Sequence, residues 1–99
     1  MNSIAEFFEK TGITGNKIRE ENVVKFISYY KDFKIGDKTT VVQATLMNGF
    51  ELIESSSCVD IKTFDQDIGI DICMQRIKDK VWHYLGFMLQ TFKEVSPNE

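Results

Sequence analysis

Several groups of residues have types and spacings that could do chemistry. Cys58 is a candidate nucleophile, and such a thiol needs a base and an orienting group within hydrogen-bond reach. His83 is the only imidazole and falls far along a different segment. A small thiol at a strand end and a structural histidine are therefore the simpler account of the two. Asp60, Asp65, Asp67 and Asp71 crowd the start of a long apolar-periodic segment. Carboxylates at that density can hold a divalent cation. They also cap the free N–H groups of a helix N-terminus and complement its dipole, which is the simpler account. Arg76 and Lys80 stand four apart and share one helix face. They can grip a phosphate or pyrophosphate, the guanidinium as a planar fork and the ammonium as a point charge. Alternatively they form a solvated face paired with Asp71, Asp79 or Glu94. Phe50 directly follows Asn48-Gly49, and an aromatic at the lip of a turn can stack on a nucleobase or pack as core. Ser55, Ser56 and Ser57 offer hydroxyls to an anion or simply end a strand. Two cysteines and one histidine make no recognisable zinc spacing, and no cofactor is expected.

These residues need elements to position them, and the pattern implies an α+β chain. Ser3 is an N-cap with Glu6 as its capping-box partner, so "SIAEFFEKTG" reads as a short helix with Ile4, Phe7 and Phe8 on one face. Gly12 ends it. Thr14 is the cap of a second short helical turn, and the link from Gly12 to Gly15 suggests an arm that is mobile or docked on a partner. The β-branched and aromatic run 23–33 becomes a strand in its second half. "KIGDK" is a turn, 39–47 a second strand and 50–57 a third. Asn48-Gly49 fits a two-residue type I′ hairpin, which pairs Met47 with Phe50, Thr45 with Leu52 and Ala44 with Ile53. One sheet face then carries Val41, Thr45, Met47, Phe50 and Leu52, and the other Val42, Ala44, Leu46 and Ile53. Neither face is fully polar, so both call for a cover.

From about residue 61 the period becomes helical: Phe64, Ile68, Ile72, Cys73, Ile77, Val81, Leu85, Met88, Leu89 and Phe92 form one stripe. A helix of ~30 residues is ~45 Å long, against a radius of gyration of ~13 Å for a chain this size. Either the helix breaks, at Gly69 or Gly86, or another subunit covers the overhang. The off-stripe Ile70, Trp82, Tyr84 and Phe87 favour a homo-oligomer. The organisation expected is one domain: a helical arm over 1–22, a sheet plus long helix over 23–94, and a frayed tail over 95–99 with Pro97.

Composition narrows the partners. A net charge of −3 gives no reason to expect duplex nucleic acid or an anionic membrane. No apolar run reaches the ~18 residues that a membrane span needs. The acidic, amphipathic start lacks the basic and apolar segments of a signal peptide, so a cytoplasmic location with reduced thiols is expected.

"TLMNGF", "ESSSCVD", "FDQDIG" and "KVWHYLGFML" together resemble the gene-product 49/gene-product 66 family of small bacteriophage proteins. The likeness covers residues 26–90. It departs at Ile72–Gln75, where the family has small residues, and at Ser57, where Ala is common. The resemblance implies a phage protein in the host bacterial cytoplasm. The hairpin-plus-long-helix layout is similar to that of phage counter-defence sponges, which sequester the cyclic ADP-ribose-type signal of the Thoeris system or cyclic dinucleotides. By that likeness the ligand would lie between subunits of an oligomer. Phe50 would stack on the base, Arg76 and Lys80 would hold phosphates, and Asp60 would accept from a ribose hydroxyl or base edge. No catalysis is required. The alternative is a protein–protein inhibitor that docks on a host defence effector such as a CRISPR nuclease. A small subunit of phage assembly is a third.

Overall fold

The structure, a computed structural model, describes residues 4–95. Ser3, read as an N-cap, and Pro97 lie outside the described residues. Three helices and a three-stranded antiparallel sheet follow one another along the chain: α1 (Ile4–Thr11), α2 (Glu20–Phe26), β1 (Ile27–Ile35), β2 (Thr39–Leu46), β3 (Glu51–Ser57), a 3₁₀ turn (Ile61–Thr63) and α3 (Gln66–Val95). The sheet order is β1-β2-β3.

α1 ends at Gly12, whose φ of 71° is the left-handed conformation that glycine adopts freely. The second helix starts later than Thr14: its N-cap is Arg19, and buried Asn22 closes it. The Asn22 side chain accepts from the Arg19 N–H at 2.9 Å and donates to the Thr11 carbonyl at 3.1 Å. One amide thus fastens the start of α2 to the end of α1. Asn22 holds Val23 and Val24 helical despite their β propensity, because tertiary bonding outweighs a preference worth under ~1 kcal/mol.

The hairpin at Asn48-Gly49 is present, but it is not type I′. Only Gly49 has positive φ, at 87°. Gly49 N–H donates to Leu46 O at 2.9 Å and Leu46 N–H to Phe50 O at 2.8 Å, so the loop holds three residues, Met47 to Gly49. A tight turn followed by one left-handed residue is the common three-residue alternative. The register shifts by one: Thr45 pairs with Glu51, Ala44 with Leu52 and Gln43 with Ile53. A one-residue slip moves a strand's side chains to the opposite face. Leu52 therefore joins Val42, Ala44 and Leu46 in the core, and Ile53 faces out at 64% exposure.

α3 is unbroken over 30 residues. Gly69 is a point of close approach to Thr40, and Gly86 has open space around it. Gly86→Ala is therefore expected to raise stability by about 0.5–1 kcal/mol through helix propensity alone, measured as a higher urea midpoint with an unchanged m-value.

Burial along α3 follows Cys73, Ile77, Val81, Leu85 and Leu89, one residue in every four. Four residues turn an α-helix through ~400°, so each step rotates the buried line by ~40°. From Cys73 to Leu89 it winds about 160° around the rod. The first half of α3 faces the sheet. The second half faces α2, and α1 reaches it through Phe7, whose ring meets Phe92; Phe7, Val23 and Phe26 are fully buried. Thus the helix does not break, and the chain's own N-terminal helices cover the buried line of its second half, so the arm expected to be mobile or docked on a partner is packed core. Ile68 and Ile72, which the stripe included, are exposed. The molecule is elongated, 57 × 21 × 19 Å with a radius of gyration of 16.3 Å. The outer sheet face, with Tyr29, Phe33, Ile35 and Ile53, has no cover.

Candidate functional site

A cleft of about 450 Å³ opens where the hairpin tip meets the second half of α3. Its walls are Leu46, Asn48 and Phe50 from the hairpin, Phe26 from the end of α2, and His83, Tyr84, Phe87 and Met88 from α3. The Asn48 carboxamide oxygen accepts from the Phe50 N–H at 3.0 Å, which fixes Phe50 at the lip. The Phe50 ring meets Tyr84 edge-on, centroids 6.1 Å apart. Phe50 and Phe87 remain 56% and 72% exposed. Exposed aromatic faces over an apolar floor, with His83 and Asn48 as the polar rim, suit a planar ring, and the size is that of a small-molecule site.

Phe50 is the one expected site residue that lines this cleft. Arg76 and Lys80 stand along the same helix and bind β3. Arg76 Nη1 donates to the Ser55 carbonyl at 2.6 Å. Lys80 forms an ion pair with Glu54. Their partners are therefore not the expected Asp71, Asp79 or Glu94. The Glu54 carboxylate raises the Lys80 pKa through its hydrogen bond. The pair thus stabilises the fold below lysine's ordinary pKa, and the contribution fades as pH rises through the raised value. Lys80 stands one helical turn along α3 from Tyr84 and Arg76 one turn further on, and neither lines the cleft.

Asp60 lies past the far end of β3. Its carboxylate accepts from the Lys62 N–H at 2.9 Å, and its carbonyl accepts from Thr63 Oγ1 at 3.0 Å. The seven residues of β3 span roughly 23 Å at ~3.3 Å each. One small ligand therefore cannot touch both Phe50 and Asp60 of one chain. Asp65 caps α3, accepting from the Asp67 N–H at 2.9 Å. Among the described residues no three His, Cys, Asp or Glu side chains stand close enough to share a metal ion.

Cys58 and His83 sit at opposite ends of β3, so neither activates the other. Cys58 is half-buried, its thiol donating to the Asp60 carbonyl at 3.1 Å. Cys73 is fully buried, and burial pushes its thiol above the ordinary value against the pull of Arg76. A thiol alkylating reagent should therefore label Cys58 in the folded protein and Cys73 only after unfolding, as read by peptide mass spectrometry. Labelling of Cys73 at native pH would contradict this packing.

Tyr84 and Phe87 stood off the buried stripe in the sequence, three residues apart on one side of the helix, and that was the available signal for the cleft. Phe26 gave none, because its approach depends on α2 folding back onto α3.

Residues 11–92 match the phage protein (N4 Gp49/phage Sf6 gene 66) family. The chain belongs to that phage family. The match begins at Thr11 and so adds α2 to the segment that carries the resemblance in the sequence; all eight cleft residues lie within both. No curated protein and no solved structure matches the chain. None of the described helices is long and apolar enough to cross a membrane.

Proposed function

We propose that this phage protein is a non-catalytic binding protein whose cleft captures a nucleotide signal of host defence. The aromatic cleft of Phe26, Phe50, Tyr84 and Phe87 supports that reading. A nucleobase stacks there on exposed ring faces, each base–aromatic stack contributing about 1–3 kcal/mol. Lys80 and Arg76 stand one and two helical turns along α3 from Tyr84, and a ligand phosphate takes them in competition with Glu54 and the Ser55 carbonyl. Asp60 reaches the same ligand only from a second copy. Sequestration of a cyclic nucleotide or cyclic ADP-ribose-type signal needs no chemistry, only affinity and copy number.

A second reading, docking on a host effector protein, is favoured by the exposure of Phe87 at 72% and Trp82 at 41% on the same stretch of α3. Exposed aromatics are enriched at protein interfaces.

A thermal-shift panel of cyclic nucleotides and cyclic ADP-ribose isomers separates the two. A ligand at 100-fold excess over Kd adds about 2.7 kcal/mol, a Tm rise on the order of 10 °C for a domain of this size. At least one member should produce it, and Phe50→Ala should remove most of it while leaving the unliganded Tm nearly unchanged. A flat panel, with a host protein retained by the wild-type chain and lost with Phe87→Ala, would replace ligand capture with docking.

A further inference from the structure

β1 is an edge strand of nine residues, eight of them exposed, and it pairs on one side only. Its free side presents a row of unpaired backbone N–H and C=O groups, the template on which another strand adds. Tyr29, Phe33 and Ile35 project on the outer face, while Asp32 and Lys34 project on the α3 side. The strand carries no proline, and its one irregularity lies at its start, between Ile27 and Tyr29. We infer that β1 pairs antiparallel with β1 of a second copy across a two-fold axis at Phe33, joining two sheets into one of six strands. The inference stands apart from the ligand reading, which concerns the other end of the sheet.

Charge selects both the partner and the register. In an antiparallel pair the residues opposite one another share a face, and like charges placed opposite are destabilising. A two-fold centre at Lys31, Asp32 or Lys34 sets that residue against its own copy, each a like-charge pair. A centre at Tyr30 makes no charge pair and carries the partner strand toward α2, which ends at Phe26. A centre at Phe33 sets Phe33 against Phe33, Asp32 against Lys34 and Lys34 against Asp32. Two opposite-charge pairs and one aromatic pair then lie across the axis. The same register extends the uncovered outer face, bringing Phe33, Ile35 and Val41 of both copies onto one surface.

Sedimentation velocity on the full chain, with the charges exchanged in steps, tests this. The wild type should sediment at twice the 11.5 kDa chain mass. D32K alone or K34D alone turns both attractive pairs repulsive and should weaken the dimer by roughly tenfold or more. The double variant D32K/K34D restores opposite charges across the axis and should restore the dimer. Circular dichroism reports folding of each variant. Because rescue by the double variant requires a folded chain, a misfolded single variant does not mimic the result. In a C58S background, F33C should oxidise to a covalent dimer, since directly opposed Cβ atoms lie ~4.5–5.5 Å apart. A wild-type chain at the single-chain mass at tens of micromolar, or single reversals that leave the dimer intact, would overturn the inference. Ligand binding by a chain that stays monomeric would overturn it too, and would leave the proposed function standing.

Discussion

Phe7→Ala is expected to destabilise the fold by about 3–5 kcal/mol, a large part of the ~5–15 kcal/mol that holds a domain together. The Phe7 ring is fully buried, edge-on to Phe92 at 4.9 Å and to Phe8 at 5.3 Å. Truncation leaves a cavity between α1 and α3 and removes two aromatic pairs, each worth about 0.5–1.5 kcal/mol beyond its area. Tm should fall on the order of 20 °C, read by urea and thermal unfolding together. The neighbouring Phe8, partly buried, should cost clearly less when truncated. The contrast matters because Phe7 is the side chain through which α1 packs on the far end of the long helix, beside the cover that α2 supplies. A loss under ~1 kcal/mol for Phe7→Ala would mean that α1 does not pack there and that another body must.

The second large effect falls on Gly69. Glycine inside a helix costs about 1 kcal/mol relative to alanine, so the naive expectation for Gly69→Ala is a gain. The opposite is expected here, a net loss of about 1–3 kcal/mol. A Cβ at this position would stand 2.6 Å from the Thr40 Cβ and 3.2 Å from its Cγ2. Thr40 cannot swing aside easily, because it is fully buried and its hydroxyl donates to Gln66 Oε1 at 3.1 Å. Gly69 thus lets the start of α3 lie close against β2. The double variant Gly69→Ala/Thr40→Ala should recover part of the loss, and the non-additivity in a double-mutant cycle locates the clash. With Gly86→Ala stabilising, the two glycines of one helix should respond with opposite signs.

Much of this architecture is legible in the residues. The helical period from residue 61 onward marks α3, the β-branched runs mark three strands, and Asn48-Gly49 marks the hairpin. What fails is what depends on one torsion or on contacts between distant segments. Asn-Gly serves both a two-residue and a three-residue hairpin loop, and the choice turns on whether Asn48 takes positive φ. It does not, and that single residue moves Leu52 into the core and Ile53 out of it. The stripe on α3 reads as one straight face, yet its buried line advances by fours and winds around the rod. That winding is why the N-terminal helices, and not only the sheet, are needed as cover. At the site, Phe50 at a turn lip is readable, since its place depends only on the turn. Its neighbours Phe26, Tyr84 and Phe87 meet only after α2, the hairpin and α3 have packed. Arg76 and Lys80 share a helix face as their spacing requires, but β3 comes close enough to take both.

The division of labour along β3 follows from the same geometry. Its hairpin end builds an aromatic cleft, its middle is fastened to α3 through Arg76 and Lys80, and its far end leads into the Asp60 and Asp65 caps. The cations are thus part of the fold. Removing Arg76 or Lys80 alone mixes binding with the seating of the helix, whereas Phe50 and Phe87 expose their rings at the cleft and report on binding more cleanly.

Equilibrium dialysis of the full chain against cyclic nucleotides and cyclic ADP-ribose isomers, followed by mass spectrometry of the recovered ligand, tests ligand capture most directly. One ligand should be retained per cleft and recovered intact, with affinity falling roughly tenfold or more in Phe50→Ala. No retention of any member, or recovery of a cleaved product, would contradict it.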